Sequence, residues 1–179
     1  MARHVALLRA INVGGRNKLA MADLRALFEE LGCEEVSTYI QSGNVIFTAS
    51  APTLRTLPAR VRERLASDFG LEVPVVVRSA RELAKAIDAH PFGDREVLEK
   101  HRHVVFLADR PATSRAAALR ALAGPGEEFA LIGAELHLLL PAGAASTKLT
   151  AAAVDRALGT TSTARNWRTT TKLLELASD

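Results

Sequence analysis

Val36-Ser37-Thr38-Tyr39-Ile40-Gln41-Ser42-Gly43-Asn44-Val45-Ile46-Phe47-Thr48 is the stretch on which the fold turns. Residues 36–41 and 45–48 read as two short strands, built from β-branched and aromatic side chains that suit a pleated, half-buried surface. Ser42-Gly43-Asn44 between them has the chemistry of a tight hairpin turn. Upstream, Met21, Leu24, Leu27, Phe28 and Leu31 repeat at helical spacing, and Gly32 stops that helix. Before the helix, residues 4–11 (HVALLRAI) form a buried strand, and residues 12–18 (NVGGRNK) form a loop broken by Gly14-Gly15. Downstream, Leu54, Leu57, Val61, Leu65 and Phe69 mark a second amphipathic helix that ends at Gly70. Residues 72–78 (EVPVVVR) make a fourth strand, and Pro74, which cannot donate to a ladder, puts it at a sheet edge. The order is β-α-β-β-α-β, the ferredoxin-like plait.

The same order recurs. Ser79 and Glu82 form a capping box for a connecting helix running to about His90, which His90-Pro91-Phe92-Gly93 breaks. Residues 102–107 form a strand, 113–123 a helix, and 127–132 with 135–140 a hairpin across Gly133-Ala134. Residues 147–158 form a helix and 160–164 a short strand, and a last helix carries Trp167, Thr170, Leu174 and Ala177 on one face. The expected fold is therefore α+β: a ferredoxin-like βαββαβ plait, duplicated, plus a C-terminal helix. The units fall at 1–79 and 101–179, joined by a connecting helix and linker over 80–100. Element order alone carries the duplication, because the halves show no evident residue-level repeat. Each half holds only ~80–90 residues, so each core is small and the halves are expected to pack together.

Composition narrows the function. Of 179 residues, 48% are apolar and 24% charged, a globular balance. No run approaches the ~18–20 apolar residues of a membrane span, and the start lacks a signal-peptide pattern. The single cysteine, Cys33, excludes an internal disulfide and a cysteine-rich zinc site. A reducing cytoplasm and no membrane partner are the expectation. Net charge is +3, with 10 basic against 8 acidic residues in 1–79, 8 against 9 in 80–144, and 5 against 3 in 145–179. That excess is mild, and no basic tract of the kind that marks a nucleic-acid surface is present.

Topology points to one edge of the first plait. The loop after the first strand and the turn between the second and third strands lie at the same end of the sheet. The first strand pairs with the third, so Ile11-Asn12 comes near Asn44-Val45. Asn12-Val13-Gly14-Gly15-Arg16-Asn17-Lys18 and Gln41-Ser42-Gly43-Asn44 should form one polar rim, with Arg9 and Tyr39 beside it. The first loop leads into a helix N-terminus, where free N–H groups and the helix dipole favour an anion. Each loop also has a purely structural explanation, because Gly-Gly and Ser-Gly-Asn are turn chemistry in their own right.

Other strings are weaker. Arg165-Asn166-Trp167-Arg168 places two arginines, an amide and an indole together and could close an anion site with a stacking platform. The alternative makes Trp167 the packing anchor of the last helix and Asn166 its cap. Gly143-Ala144-Ala145-Ser146-Thr147-Lys148 fails as a phosphate-binding P-loop, being one residue short and lacking the glycine before lysine. Lys148 could still meet an anion at a helix N-terminus, beside the plainer reading of a helix capped by Ser146 or Thr147. His101 and His103 share a strand face without a third ligand nearby, so no metal is called for. His90 and His137 are expected to be structural or exposed. No catalytic triad can be assembled, and no cofactor is implied.

Arg9-Ala10-Ile11-Asn12-Val13-Gly14-Gly15, Tyr39-Ile40-Gln41-Ser42-Gly43-Asn44-Val45 and Thr163-Ala164-Arg165-Asn166-Trp167 resemble the bacterial family called domain of unknown function 1697. Lys148-Leu149 before a helix and residues 170–173 also fit its pattern. The resemblance covers nearly the whole chain. It implies a two-part α/β protein of ferredoxin-like type, usually a standalone cytoplasmic chain, and it assigns no catalytic or binding residue. Ala10 stands where glycine is common in such proteins, which weakens any argument needing backbone freedom before Ile11. Gln41 stands where asparagine is common and keeps the amide on a longer stem. The leading expectation is a protein that binds an anionic ligand at the rim, a phosphorylated small molecule, nucleotide or short nucleic acid. An enzyme in the same cleft, using Tyr39, Ser42, Lys18 or Arg165, is the second. An association module whose edge strand at 72–78 pairs with a partner is the third.

Overall fold

The computed structural model describes residues 1–93 and 98–178. Residues 94–97 of the expected 80–100 linker lie outside them. The chain divides into two compact units, residues 1–83 with 173–179, and residues 84–172.

In the first unit the elements are β1 (Arg3–Leu8), α1 (Met21–Glu30), β2 (Glu34–Tyr39), β3 (Asn44–Thr48), α2 (Ala51–Phe69), β4 (Val75–Ser79) and the first part of α3 (Ala80–Asp88). The sheet order is β2-β3-β1-β4, all antiparallel. That is the plait order, with β4 at the edge and Pro74 just ahead of it. β1 ends at Leu8, three residues short of the expected Ile11, because Ala10 takes a left-handed backbone (φ 55). The Arg9 N–H then leaves the ladder to donate to the Pro74 carbonyl at 3.1 Å. α2 begins at Ala51, not Leu54, since Ser50 accepts from the Thr53 N–H as N-cap and Pro52 sits in the first turn, where no N–H is needed. One face of the sheet supplies Ala6, Leu8, Val45 and Phe47, on which Leu24, Leu27 and Phe28 of α1 and Leu57, Val61 and Leu65 of α2 close the core.

The second unit repeats the scheme with β5 (Arg102–Leu107), α4 (Ala117–Arg120), β6 (Glu128–Ile132), β7 (Glu135–Leu139), α5 (Ala151–Leu158), β8 (Ser162–Asn166) and the start of α6 (Trp167–Ser178). Its sheet order is β6-β7-β5-β8. Short 3-10 turns at Glu99–His101 and Thr113–Ala116 precede β5 and α4. The expected helix over 113–123 is thus mostly a 3-10 turn and a single α-turn. α5 starts at Ala151, not at Thr147, because Thr150 is its cap, accepting from the Ala153 N–H at 3.3 Å. The buried residues of α6 include Thr170, Leu173 and Ala177, with Leu174 only partly covered.

Register reveals the residue-level repeat that the bare sequence hides. β1 opens Arg3-His4-Val5 and β5 opens Arg102-His103-Val104. Val5 pairs with Arg78 and Val104 with Arg165; His4 pairs with Ser79 and His103 with Asn166. Ser79 and Asn166 are equivalent in bonding as well as in position. The Glu82 N–H donates to the Ser79 hydroxyl and the Thr169 N–H to the Asn166 side-chain oxygen, so each residue ends a strand and caps a helix. The repeat spans three residues plus scattered positions, too few to stand out without the pairing.

Candidate functional site

The loop after β1 is braced by its own amides. Val13 and Arg16 form a two-residue turn, with the Arg16 N–H donating to the Val13 carbonyl at 3.0 Å. Gly14 (φ 57) and Gly15 (φ 74) are its central residues, and positive φ at both is what a type I′ turn requires. A side chain at either glycine would meet nothing within 4 Å, so conformation and not crowding demands glycine. The Asn12 N–H donates to the Asn17 carbonyl, and Asn17 Nδ2 donates to the Ala10 carbonyl at 3.0 Å. Asn12 does most: its Nδ2 donates to the carbonyls of Leu19 and Gln41, both at 2.8 Å, while its Oδ1 accepts from the Leu19 N–H at 2.9 Å.

The β2–β3 turn docks against this loop. The Leu8 N–H donates to the Gly43 carbonyl at 2.9 Å. At Gly43 (φ 82) a Cβ would fall 2.9 Å from Leu8 Cβ and 3.0 Å from Ile11 Cγ1, so here glycine is needed for close approach as well. Asn44 is fully buried and its Nδ2 donates to the Tyr39 carbonyl and to Ser42 Oγ, both at 3.1 Å. Ile40 takes a left-handed backbone (φ 50), a strained state for a β-branched residue.

Between the two loops lies an open hollow of about 510 Å³, lined by Asn12, Gly15, Lys18, Leu19, Ala20 and Gln41. Ala20 occupies the N-cap position of α1 and makes no side-chain cap hydrogen bond. The first turn of α1 therefore presents backbone N–H groups next to the hollow without a side-chain acceptor from its cap. Lys18 is the charged residue of the lining. Gly14, Arg16 and Asn17 share the loop without lining the hollow; Arg16 is exposed, and Asn17 is tied inward. Arg9, Tyr39, Ser42, Gly43 and Asn44 lie outside the lining as well, the last two buried beneath the turn.

The remaining candidates belong to the second unit. Lys148 is exposed, two residues before the Thr150 cap. Thr147 is not a cap: its hydroxyl donates to Glu127 Oε2 and accepts from the Leu149 N–H, both at 3.0 Å. Arg165 is buried, and its guanidinium donates to Thr163 Oγ1 and the Ala164 carbonyl at 2.8 Å. Burial pulls its pKa down to about 10. An arginine so enclosed does not face solvent to meet a ligand. Asn166 caps α6, as described. Trp167 stacks on His90 with ring centroids 4.4 Å apart, and the Arg102 guanidinium lies 5.0 Å from the indole.

The sequence missed the centre of that stack. His90 and His137, 47 residues apart, are both buried and meet Nδ1 to Nδ1 at 2.9 Å. Their Nε2 atoms have no hydrogen-bond partner. Burial lowers both pKa values to about 4, with the His137 and Arg102 charges adding to the effect at His90. The pair is neutral at ordinary pH, one ring donating and the other accepting. Nothing in local spacing signals it. Among the described residues no group of three or more His, Cys, Asp or Glu side chains could hold a metal, and no helix is long and apolar enough to cross a membrane.

Two ferredoxin-like plaits in tandem, the first with an open amide-lined hollow between its β1–α1 loop and its β2–β3 turn, define a duplicated α+β protein. The chain belongs to the family described as Protein of unknown function (DUF1697), whose model matches residues 1–137. It is also similar to the solved structure of the conserved bacterial protein SP0830 from Streptococcus pneumoniae, at 23% identity and a TM-score of 0.73 over 98% of each chain, a likeness of fold. No curated protein matches the chain.

Proposed function

We propose that the chain binds an anionic, phosphate-bearing ligand, a phosphorylated small molecule such as a nucleotide or a short stretch of nucleic acid, in the hollow of the first unit. One observation carries the reading: Lys18 and the α1 N-terminus, uncapped by Ala20, border one open space whose lining has no carboxylate. A positive side chain and a helix N-terminus without a side-chain cap hydrogen bond, both bordering a concave surface, favour an anion, and Asp23 of the first turn lies outside the lining. The lining side chains are two amides, one lysine and aliphatic carbon, without an imidazole, thiol or carboxylate, which favours binding over acid–base chemistry. Gln41 borders this edge, and its backbone carbonyl accepts from Asn12.

Titration calorimetry with inorganic phosphate, a nucleoside monophosphate, ATP and a short oligonucleotide tests the reading. Saturable binding is expected, weakened about two- to fivefold by Lys18→Ala and by less in Arg16→Ala, which changes a residue outside the lining. Absence of saturable binding, or binding indifferent to Lys18→Ala, overturns it.

A further inference from the structure

The two units place the same histidine on the helix-covered face of the sheet and fill the space beside it differently. His4 faces Phe47 across the β1–β3 register, and His103 faces Leu138 across β5–β7. In the first unit the Phe47 ring stacks on His4 at 6.0 Å, leans on Phe28 at 5.4 Å and is fully buried. In the second unit the ring is replaced by the smaller Leu138, and the same position borders a hollow of about 150 Å³. His103, Val105, Leu138 and Ala164 form its sheet side, and Leu149 and Val154 its cover. The cover is thin for a reason visible in the chain. α2 has 19 residues and starts directly after β3, whereas α5 has 8 and follows β7 only after the loop that ends at Thr150.

We propose that this hollow binds a small uncharged aromatic molecule, one six-membered ring with one hydrogen-bonding substituent of the phenol type, with the His103 imidazole as its polar partner. The first unit supplies the argument for the occupant, since it puts a phenyl ring beside the equivalent histidine. The size agrees: an apolar cavity of roughly 150 Å³ accommodates a benzene-sized molecule. So does the charge, because no carboxylate, ammonium or guanidinium lines the hollow to compensate an ionic ligand. Thr147 Oγ1 is already used on Glu127 and Leu149, and Thr150 Oγ1 accepts from the Ala153 N–H. His103 Nδ1 is buried and makes no hydrogen bond of good geometry; the imidazole's backbone neighbour is His101. Desolvation lowers the His103 pKa, against the raising effect of the His101 backbone, which favours the uncharged imidazole that can pair with a hydroxyl.

The test is a methyl-detected NMR titration of the full chain with phenol and, in parallel, toluene. Phenol should give saturable shifts confined to the methyls of Val105, Leu138, Leu149, Val154 and Ala164, with toluene weaker by about three- to tenfold. Leu138→Phe, which installs the first unit's ring, should abolish the shifts. Ala164→Leu, which fills the hollow from β8, is the second filling variant should the first not fold. His103→Leu should bring phenol and toluene to equal affinity. Shifts that never saturate below about 10 mM phenol, or that persist unchanged in a folded filling variant, overturn the proposal, as does a phenol preference that survives His103→Leu.

Discussion

Asn12 Nδ2 donates to the Gln41 carbonyl at 2.8 Å across 29 residues of chain, and this bond joins the two loops that border the hollow. The same amide holds Leu19 at both its N–H and its carbonyl. Asn12 also has a left-handed backbone (φ 53), which asparagine tolerates better than alanine. Asn12→Ala should therefore cost about 2–3 kcal/mol of stability, from lost hydrogen bonds and backbone strain together. Asn12→Gly relieves the strain and should cost less by about 1 kcal/mol. Urea denaturation measures both, and equal losses in the two variants would show that the backbone state contributes nothing.

Ala10 and Ile40 bear left-handed backbone angles without the side chains that suit them, at φ 55 and φ 50. Both are exposed, so little packing is lost on substitution. Ala10→Gly and Ile40→Gly should each raise stability by about 0.5–1 kcal/mol, the relief of strain exceeding the entropy that glycine adds to the unfolded chain. Ile40→Val, β-branched like the native residue, should give no gain. Thermal melts of the three variants decide this; a stabilised Ile40→Val would assign the gain to something other than backbone strain.

What the sequence disclosed was what short-range chemistry decides. The hairpin at Ser42-Gly43-Asn44, the edge position after Pro74 and the β-α-β-β-α-β order follow from turn residues and periodicity. The approach of residues 12–18 to 41–44 followed from topology, since strand direction alone sets which loops share an end. The work of the asparagines did not follow. Asn12, Asn17 and Asn44 look like ligand-facing amides, yet their side chains bind backbone within the loops. Only Lys18, Gly15, Asn12 and Gln41 of the expected rim border the hollow. The His90–His137 contact was illegible because 47 residues separate its members and neither carries a local signature. At Ala10 the expectation ran the wrong way, because the backbone there does take the conformation that suits glycine, and alanine bears the strain.

His90 and His137 tie stability to acidity. Their folded pKa values, about 4, lie below the roughly 6.5 of an unfolded histidine. The unfolded state then binds more protons between pH 4 and pH 6.5. Their contribution is fully present above pH 6.5 and is lost as pH falls through that window, at up to about 1.4 kcal/mol per pH unit for each proton taken up. His103, shifted in the same direction by desolvation, adds to the loss. Urea midpoints from pH 4 to 8 should climb to about pH 6.5 and level off. His137→Leu removes one titrating ring and should flatten the slope; an unchanged slope in a folded variant would place the acid sensitivity elsewhere.

Cys33 follows the turn after α1 and is 5% exposed, among the core residues of the first unit. Burial pushes its thiol up to about 11, a rise that the nearby Arg60 charge only partly offsets. Thiolate, the reactive form, is therefore scarce at neutral pH, and the sulfur is covered as well. In the native protein an aromatic disulfide reagent should modify Cys33 far more slowly than in the same chain in denaturant. The rate should also follow urea concentration in parallel with unfolding, because opening of the first unit is the step that exposes the sulfur. The thiolate fraction of a thiol near 11 rises about tenfold per pH unit, so raising the pH from 7 to 9 in native buffer should accelerate modification by at least about tenfold while leaving it slower than in denaturant. A fast native reaction at pH 7 would mean that the α1–β2 turn opens without global unfolding. That outcome would also loosen the end of α1 opposite the hollow, and phosphate binding that stayed intact in the protein carrying the mixed disulfide would separate the two ends of the helix.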